Sequence, residues 1–360
     1  MLDPRRFTRW LIGKTEADGM GPPSGFVRRF AGRGPFSEAW FGKVDIAPGQ
    51  AFWFRFTILD GAIREAGTWA IWFDDGEVST GKTVIPLDRF EPDRSGPGRP
   101  DACPLKSAEG GGAAGRIFAA THVFHAESGH LDGRCAAGRA GPISFDIRWE
   151  HSGREHDLVP ELLARARLAR STYSSSFIDV RMTGHVERAG HRVDFVAATG
   201  MVGHIFGTRL PQGWAWAHCN CFDGGEDAVF EGLSARIRLT RFVSPPLSSF
   251  VLFVGAGRFE FSSPLHLVRA SSRHSLDEWT FSTRSRAAEL SGRAVAPSSV
   301  AVVRYTDTDG SPLWCHNSKL ARLELMLTEH RTGRTTRLVS SRSAAFEVVT
   351  RVPPDRAVDL

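Results

Sequence analysis

The residues best suited to chemistry lie in one short segment, Leu210 to Asp223, which reads LPQGWAWAHCNCFD. Alternate side chains of a strand share a face, so this segment separates its large residues from its small ones. The large face holds Trp214, Trp216, His218, Asn220 and Phe222. The small face holds Ala215, Ala217, Cys219 and Cys221.

Two interpretations of the large face are open. An apolar surface with a few placed polar groups is typical of the lining of a ligand cavity. The alternative is a barrel-core strand whose His218 and Asn220 are bonded to backbone groups, because buried polar side chains need partners. Cys219 and Cys221 have no second Cys or His pair at ligand spacing, so the sequence predicts no metal site.

Composition predicts a soluble globular protein, since 41% of the 360 residues are hydrophobic and 24% are charged. The N-terminus has no apolar core of a signal peptide, and no run is long enough to span a membrane. An odd number of cysteines, 5 in all, fits a reducing compartment. We therefore expect a cytoplasmic protein.

The net charge of +5 comes from arginines spread along the chain rather than clustered. A nucleic-acid footprint needs a basic patch on one face, so we expect no nucleic-acid partner. Weak attraction to an anionic membrane surface stays open, and nothing indicates a protein partner. The sequence also lacks a Gly-x-Ser-x-Gly elbow, a nucleotide fingerprint and HExxH, which argues against hydrolase, dehydrogenase and metalloprotease activities.

Short strands separated by turn signals predict an all-β fold, as a barrel or sandwich. Early examples are Ala51 to Leu59 and Gly67 to Phe73, joined through the turn dipeptide Asp60-Gly61. Leu265 to Arg269 is one of the later predicted strands. The one predicted helix is short, about Pro160 to Ala169, with Pro at its start. Residues 91–115, rich in Pro and Gly, predict a loop.

Three motifs together resemble the tocopherol cyclase-like family. They are Gly203-His204-x-x-Gly207; Pro211-x-x-Trp214-x-Trp216-x-His218-Cys219-Asn220-x-Phe222; and Tyr305-x-Asp307-x-Asp309-Gly310 followed by Cys315-His316-Asn317-Ser318. That family is related to the carotenoid hydratases (hydroxyneurosporene synthases), in a superfamily of paired lipocalin-like barrels. The resemblance implies two lipocalin-like antiparallel β-barrel or sandwich halves with one short helix. We divide the chain into an N-terminal arm at 1–40 and β-domains at 41–200 and 201–352.

The resemblance also implies a reaction without a cofactor, in which an acid protonates an alkene of a hydrophobic, prenyl or polyene-type molecule. A phenol then captures the cation in a cyclase, and water does so in a hydratase. Such a site needs a dry aromatic cavity and an acid whose pKa is raised toward neutrality. The expected proton donors are His218, His204 or Asp74. The expected ligand-binding residues are Trp214, Trp216, Asn220, Phe222, Trp69, His316 and Asn317.

Each proton donor also has a structural interpretation. His204 follows a glycine and can bond to backbone, and Asp74 precedes a turn. The protein as a whole has an alternative too, a lipocalin-like carrier that binds a hydrophobic ligand without changing it. If His204 and His218 face one pocket, catalysis is favoured; if both bond to backbone carbonyls away from it, the carrier is favoured.

Overall fold

The computed structural model confirms the predicted all-β fold, with two curled antiparallel half-barrel sheets. The structure describes residues 25–32, 34–90, 123–150, 154–159, 169–239 and 242–360. The predicted loop at 91–115 lies outside these residues, as does the predicted helix apart from Ala169.

The first sheet is 10-stranded, in the order β4-β3-β2-β1-β10-β9-β8-β7-β6-β5. Its strands are β1 (Phe36–Ala47), β2 (Gln50–Asp60), β3 (Arg64–Asp74), β4 (Glu77–Pro86), β5 (Phe124–Ala126), β6 (Gly129–Leu131), β7 (Cys135–Ala140), β8 (Ile143–Glu150), β9 (Ser171–Arg188) and β10 (His191–Gly207). A 3-10 helix at Leu87–Arg89 follows β4.

The second sheet is also 10-stranded, in the order β16-β15-β12-β11-β22-β21-β19-β18-β17, with β20 paired to β21. Its strands are β11 (Gly213–Cys219), β12 (Ala228–Arg236), β15 (Leu247–Val254), β16 (Gly257–Phe261), β17 (Ser271–His274), β18 (Glu278–Arg284), β19 (Ala288–Val295), β20 (Ala301–Thr306), β21 (Pro312–Glu329) and β22 (Thr335–Thr350). Two short strands, β13 (Arg238–Leu239) and β14 (Phe242–Val243), pair separately.

Both sheets are joined at the middle in the same way. The first strand of each sheet pairs antiparallel with its last strand, β1 with β10 and β11 with β22. The first sheet thus runs from Phe36 to Gly207, wider at both ends than the 41–200 domain expected from the sequence. The domain division itself stays a prediction.

Strand alternation explains where the cores lie. In β2, Phe52, Phe54 and Phe56 fill the interior of the first sheet, whereas Trp53 points to a cluster built by both sheets. In β11 the small residues face the interior of the second sheet, and Trp214 and Trp216 join Trp53 in the shared cluster. The outer faces of the two sheets therefore bury each other. This contact between the sheets, which contains Trp53, Trp214 and Trp216, forms the joint of the molecule.

The predicted strand at Leu265 to Arg269 is wrong, because this segment is the helix α1 (Pro264–Arg269). Ser263 caps it, since its side chain accepts a hydrogen bond from the backbone N–H of His266. Pro264 occupies the first turn, where a missing N–H costs nothing. The Ser-Pro pair is the signal for this helix. None of the helices in the described segments is long and apolar enough to cross a membrane.

A buried ion pair helps to join the sheets. Lys43 is 1% exposed and donates to Asp45 Oδ2 at 2.8 Å and, across the joint, to the backbone oxygen of Ser343 at 2.6 Å. Burial raises the pKa of Asp45, and the charge of Lys43 opposes that shift. Each charge depends on the other, because an unpaired charge in this position has no access to water.

Replacing Lys43 by methionine should therefore lower the free energy of unfolding by about 3–5 kcal/mol, since Asp45 would be left buried and unpaired. Urea unfolding at neutral pH measures the change. Arg64→Met is the matched control: Arg64 is 60% exposed in its pair with Asp60, and such a pair contributes less than about 1 kcal/mol. Equal effects of the two substitutions would contradict the assigned role of Lys43.

Candidate active site

A cavity of about 100 Å³, measured as space open to the centre of a water molecule, lies between the sheets. One ordered water needs only about 10–15 Å³ by this measure, so the cavity has room for an organic group. The aromatic residues in its lining are Phe41, Tyr173, Trp214 and Trp216. Arg55 and Glu347 are the charged residues in its described lining.

Strand pairing brings these residues together. Phe41 on β1 lies opposite Arg55 on β2, and Trp216 on β11 lies opposite Glu347 on β22. The first pair belongs to the first sheet and the second pair to the second sheet. Phe41 and Trp216 then meet edge to face across the joint, with ring centroids 5.6 Å apart. Each sheet thus contributes one charged residue to the cavity wall, with an aromatic residue of the wall on the neighbouring strand.

Beside the cavity lies a buried carboxyl group that the sequence analysis did not identify. Glu231 is 0% exposed and accepts hydrogen bonds from Tyr173 Oη at 2.5 Å, Ser175 Oγ at 2.5 Å and Trp216 Nε1 at 3.0 Å. Burial raises its pKa to about 7, even though the three donors favour the charged form. The available signal was an acidic residue in the middle of an apolar strand, Val229-Phe230-Glu231-Gly232-Leu233.

Tyr173 connects this carboxyl group to the cavity. Its ring forms part of the lining, and its hydroxyl group is bonded to Glu231. Burial and the neighbouring carboxylate raise the pKa of Tyr173 well above its ordinary value. Tyr173 is therefore a neutral phenol at physiological pH, and it cannot readily lose its proton without receiving another.

His218 is held away from the cavity. Its Nε2 donates to the backbone oxygen of Ile178 at 2.8 Å, and it is not among the described residues of the lining. Burial and the charge of Lys43 lower its pKa well below the ordinary value, so His218 is neutral. Asn220 likewise donates to the backbone oxygen of Gly200 at 2.8 Å and to Asp179 at 3.0 Å. Both side chains tie the second sheet to the first.

The predicted face of Phe222 is wrong. Strand β11 ends at Cys219, so the period-two alternation stops before this residue. Phe222 packs in the interior of the second sheet, beside the small residues of β11. Trp214 and Trp216, by contrast, lie in the cavity wall.

His204 faces the interior of the first sheet. Its Nδ1 lies 2.7 Å from the backbone oxygen of Gly25 and its Nε2 lies 2.8 Å from Glu38 Oε1. The ring stacks on Trp40, with centroids 4.7 Å apart. Glu38 also accepts from the backbone N–H of Phe30, at 2.8 Å. The group anchors the chain around residues 25–30 and lies on the opposite face of the sheet from the cavity.

The remaining predicted residues are divided between the joint and the surface. Asp74, at the end of β3, is 30% exposed, accepts from Gln50 at 3.2 Å and is not among the described residues of the lining. Trp69 is buried in the shared cluster, where its Nε1 donates to Thr57 at 3.0 Å and Lys82 covers its ring at 3.9 Å.

Asn317 is connected to the cavity wall by hydrogen bonds through Lys319 and Glu347. Lys319 Nζ donates to Asn317 Oδ1 at 2.5 Å and to Glu347 Oε1, in the cavity wall, at 2.7 Å. Burial lowers the pKa of Lys319, and Glu347 opposes that shift. His316 immediately precedes Asn317 on β21, so its side chain points to the other face. Burial lowers the pKa of His316.

The comparisons with known proteins bear on the second half of the chain. The profile of the tocopherol cyclase-like family matches residues 177–349. Residues 177–349 are tocopherol cyclase-like. This confirms the resemblance carried by the Trp214 and Trp216 strand. The tocopherol cyclase-like region includes Glu231, Trp216 and Glu347. A comparison with curated protein sequences found no relative.

Solved structures share the fold at low sequence identity. The crystal structure of CghA is 9% identical, the alignment covers 88% of each chain, and the TM-score is 0.55. CghA with Sch210972 gives 9% identity, 88% of each chain and a TM-score of 0.54. Kievitone hydratase from Nectria haematococca gives 8% identity, 87% of each chain and a TM-score of 0.45. The CghA structures show that the tocopherol cyclase-like region lies within a known two-sheet fold.

The neutral state of His218 predicts a pH dependence of stability. The unfolded chain protonates this imidazole near pH 6.5, its ordinary value, while the folded chain does so only at much lower pH. The unfolding free energy should thus fall below pH 6.5 by about 1.4 kcal/mol per pH unit from this residue. His218→Gln, which keeps a donor for Ile178, should flatten the dependence between pH 6.5 and 5 by that amount.

Urea unfolding at several pH values measures the slope. His191→Gln is the control, because His191 is exposed at the start of β10 and its replacement should leave the slope unchanged. An unchanged slope in His218→Gln would show that His218 is protonated alike in both states.

Proposed function

We propose that this protein is a cyclase or hydratase that protonates an alkene of a hydrophobic molecule in the cavity between the sheets. We assign the proton donor to the pair Glu231 and Tyr173, in place of His218, His204 or Asp74. The observation that carries the proposal is the 2.5 Å contact between a fully buried carboxyl group and a phenol of the cavity wall.

The proposed proton transfer is a relay. In its acid form Glu231 donates its O–H to Tyr173 Oη, the reverse of the bond made by its carboxylate form, so the Tyr173 O–H can point to the alkene. Glu231 then gives its proton to Tyr173 Oη while the Tyr173 proton moves to an alkene carbon. The O–H bonds of both residues break as a new O–H bond and a C–H bond form, so no tyrosinate is left behind. The raised pKa of Tyr173 is then no obstacle, because the group that becomes charged is Glu231, whose pKa is about 7. A donor with a pKa near the working pH is what general acid catalysis requires.

The aromatic lining suits the cation that this step creates. The ring faces of Trp214, Trp216 and Phe41 carry negative potential and can stabilise a developing positive charge. They also exclude stray water, which would otherwise capture the cation unselectively. The same side chains bury apolar surface of the substrate, so binding and cation stabilisation use one wall.

Capture of the cation releases a second proton. The oxygen that attacks the carbon, from a phenol of the substrate or from water, must lose its hydrogen. Glu347 is the carboxylate in the described cavity wall, and Lys319 holds it by a 2.7 Å contact. We assign Glu347 as the acceptor of that proton. Exchange with solvent then returns Glu231 to its acid form and Glu347 to its carboxylate, so the cycle has no net proton change.

A non-catalytic carrier is the second candidate. One observation favours it: His204 and His218 each contact a backbone oxygen, of Gly25 and Ile178, and neither is among the described residues of the lining. Under this alternative, Glu231 serves only as the hydrogen-bond acceptor of Tyr173, Ser175 and Trp216. The cavity then binds its ligand without changing it.

Mass spectrometry of lipophilic molecules that co-purify with the protein distinguishes the two candidates. Glu231→Gln should slow alkene protonation by about 10²–10⁴-fold, the usual contribution of a general acid. This variant should therefore carry the substrate, an isomer of the wild-type ligand for a cyclase or a molecule differing by one water for a hydratase. Wild-type protein should convert that extract, and in D2O the product should gain one deuterium on carbon.

His218→Gln is the matched control and should carry the same molecule as wild type, because its role is structural. If wild type and Glu231→Gln carry one and the same molecule, and wild type leaves it unchanged, the carrier is the correct description. If only His218→Gln accumulates a different species, the proton donor is His218.

The relay also predicts how activity depends on pH. With the extracted substrate, kcat/KM should be constant below neutrality and fall above pH 7, since Glu231 loses its acid form with a pKa of about 7. The fall should reach about tenfold per pH unit. A rise in activity through this range would instead indicate that Glu231 acts as a base.

A further inference from the structure

Arg55 in the cavity wall has no anionic partner in the described structure. It is 9% exposed, forms no hydrogen bond or ion pair with a described residue, and its Nε is buried without an acceptor. The guanidinium lies over the ring of Tyr305, with Cζ 4.1 Å from the ring centroid. An arginine cannot lose its proton at accessible pH, so this charge is permanent. A buried charge without a partner is costly, which makes Arg55 an exception that calls for an explanation.

The other charged groups around the cavity are already balanced. Glu347 is paired with Lys319 at 2.7 Å, and Lys43 is paired with Asp45 at 2.8 Å. Glu231, with its pKa of about 7, is half in its neutral form at that pH. Lys82, near Arg55, has its own carboxylate in Glu65 at 3.6 Å. The described wall therefore presents one uncompensated positive charge to whatever fills the cavity.

We propose that Arg55 binds an anionic oxygen group of the substrate, such as a carboxylate or an acidic enolate. This inference rests on the proposed function and narrows its substrate class to an amphiphilic acid. Its hydrophobic part would lie along Trp214 and Trp216, which places the alkene near Tyr173. The planar guanidinium suits a two-oxygen anion, because it can donate two parallel hydrogen bonds. The ring of Tyr305 packs against the guanidinium of Arg55 and holds it in position.

A matched pair of dyes tests this without knowledge of the substrate. 8-Anilino-1-naphthalenesulfonate carries an anionic oxygen group, and N-phenyl-1-naphthylamine is the same molecule without it. Fluorescence titration of wild-type protein should give a dissociation constant about tenfold or more lower for the sulfonate, as expected for a hydrogen-bonded charge pair. Arg55→Gln should remove this preference and leave the affinity for the neutral dye within about twofold, because the aromatic wall is unchanged.

Two further variants locate the effect. Arg293→Gln removes the same charge from an exposed pair with Glu278 and should keep the wild-type preference. Leu233→Trp fills the cavity and should weaken the binding of both dyes. Urea unfolding checks that each variant is folded, and the comparison of the two dyes on wild type is independent of any variant.

The proposal is overturned if wild type binds the sulfonate no better than the neutral dye or not at all. It is also overturned if the preference survives Arg55→Gln or Leu233→Trp. Because dye binding involves no turnover, its outcome is separate from that of the Glu231→Gln experiment. A preserved anion preference without turnover would indicate a carrier of an acidic ligand, whereas turnover without the preference would indicate a neutral substrate.

Discussion

The two sheets bury their outer faces against each other, and every polar group between those faces has to find a partner there. A β-strand that is apolar on both faces is unusual in a solvated antiparallel sheet, where one face normally meets water. In β2 and β11 both faces are buried, one in the interior of its own sheet and one in the joint. The charged groups in the joint are buried, so they interact in an environment of lower dielectric constant than water.

The joint satisfies its polar groups in two ways. His218 and Asn220 donate hydrogen bonds to backbone oxygens of the first sheet. These side chains therefore connect the two sheets and are not free to contact a ligand with the same hydrogens. Lys43 and Lys319 each take a carboxylate as partner. Buried pairs of this kind fix one relative position of two surfaces, since a shift would separate the charges. In the described cavity wall, the guanidinium of Arg55 and the cavity-facing side of Tyr173 are left for a ligand.

The sequence predicted the fold well, because alternation and turn residues are local signals. The strand of Trp214 and Trp216 was found in this way, and these two residues of its large face do line a cavity. The face of Phe222 was wrong since alternation cannot show where a strand ends. The strand predicted at Leu265 was wrong because a short Ser-Pro cap outweighed its apolar pattern.

The centre of the site could be predicted only in part. Tyr173 and Glu231 belong to different sheets and meet only after folding, so no spacing in the chain relates them. Arg55 shares a strand face with Trp53 and Thr57, and an arginine in a strand is usually directed to solvent. Only the packing of one sheet on the other shows that this face is buried. The aromatic residues, in contrast, were recognisable because large apolar side chains indicate burial wherever they occur.

The proposed choice of Glu231 over His218 as proton donor follows from how burial acts on each type of acid. Transfer from water disfavours whichever form is charged. For a histidine that form is the acid, so burial lowers the pKa of His218 and takes away the proton it would need to donate. For a carboxyl group the charged form is the base, so the same burial keeps Glu231 protonated up to about pH 7. A dry aromatic cavity, which a carbocation requires, therefore selects a carboxylic acid over an imidazole as its proton source. The histidine is the more obvious candidate in the sequence, yet the environment that suits the reaction is the one that disables it.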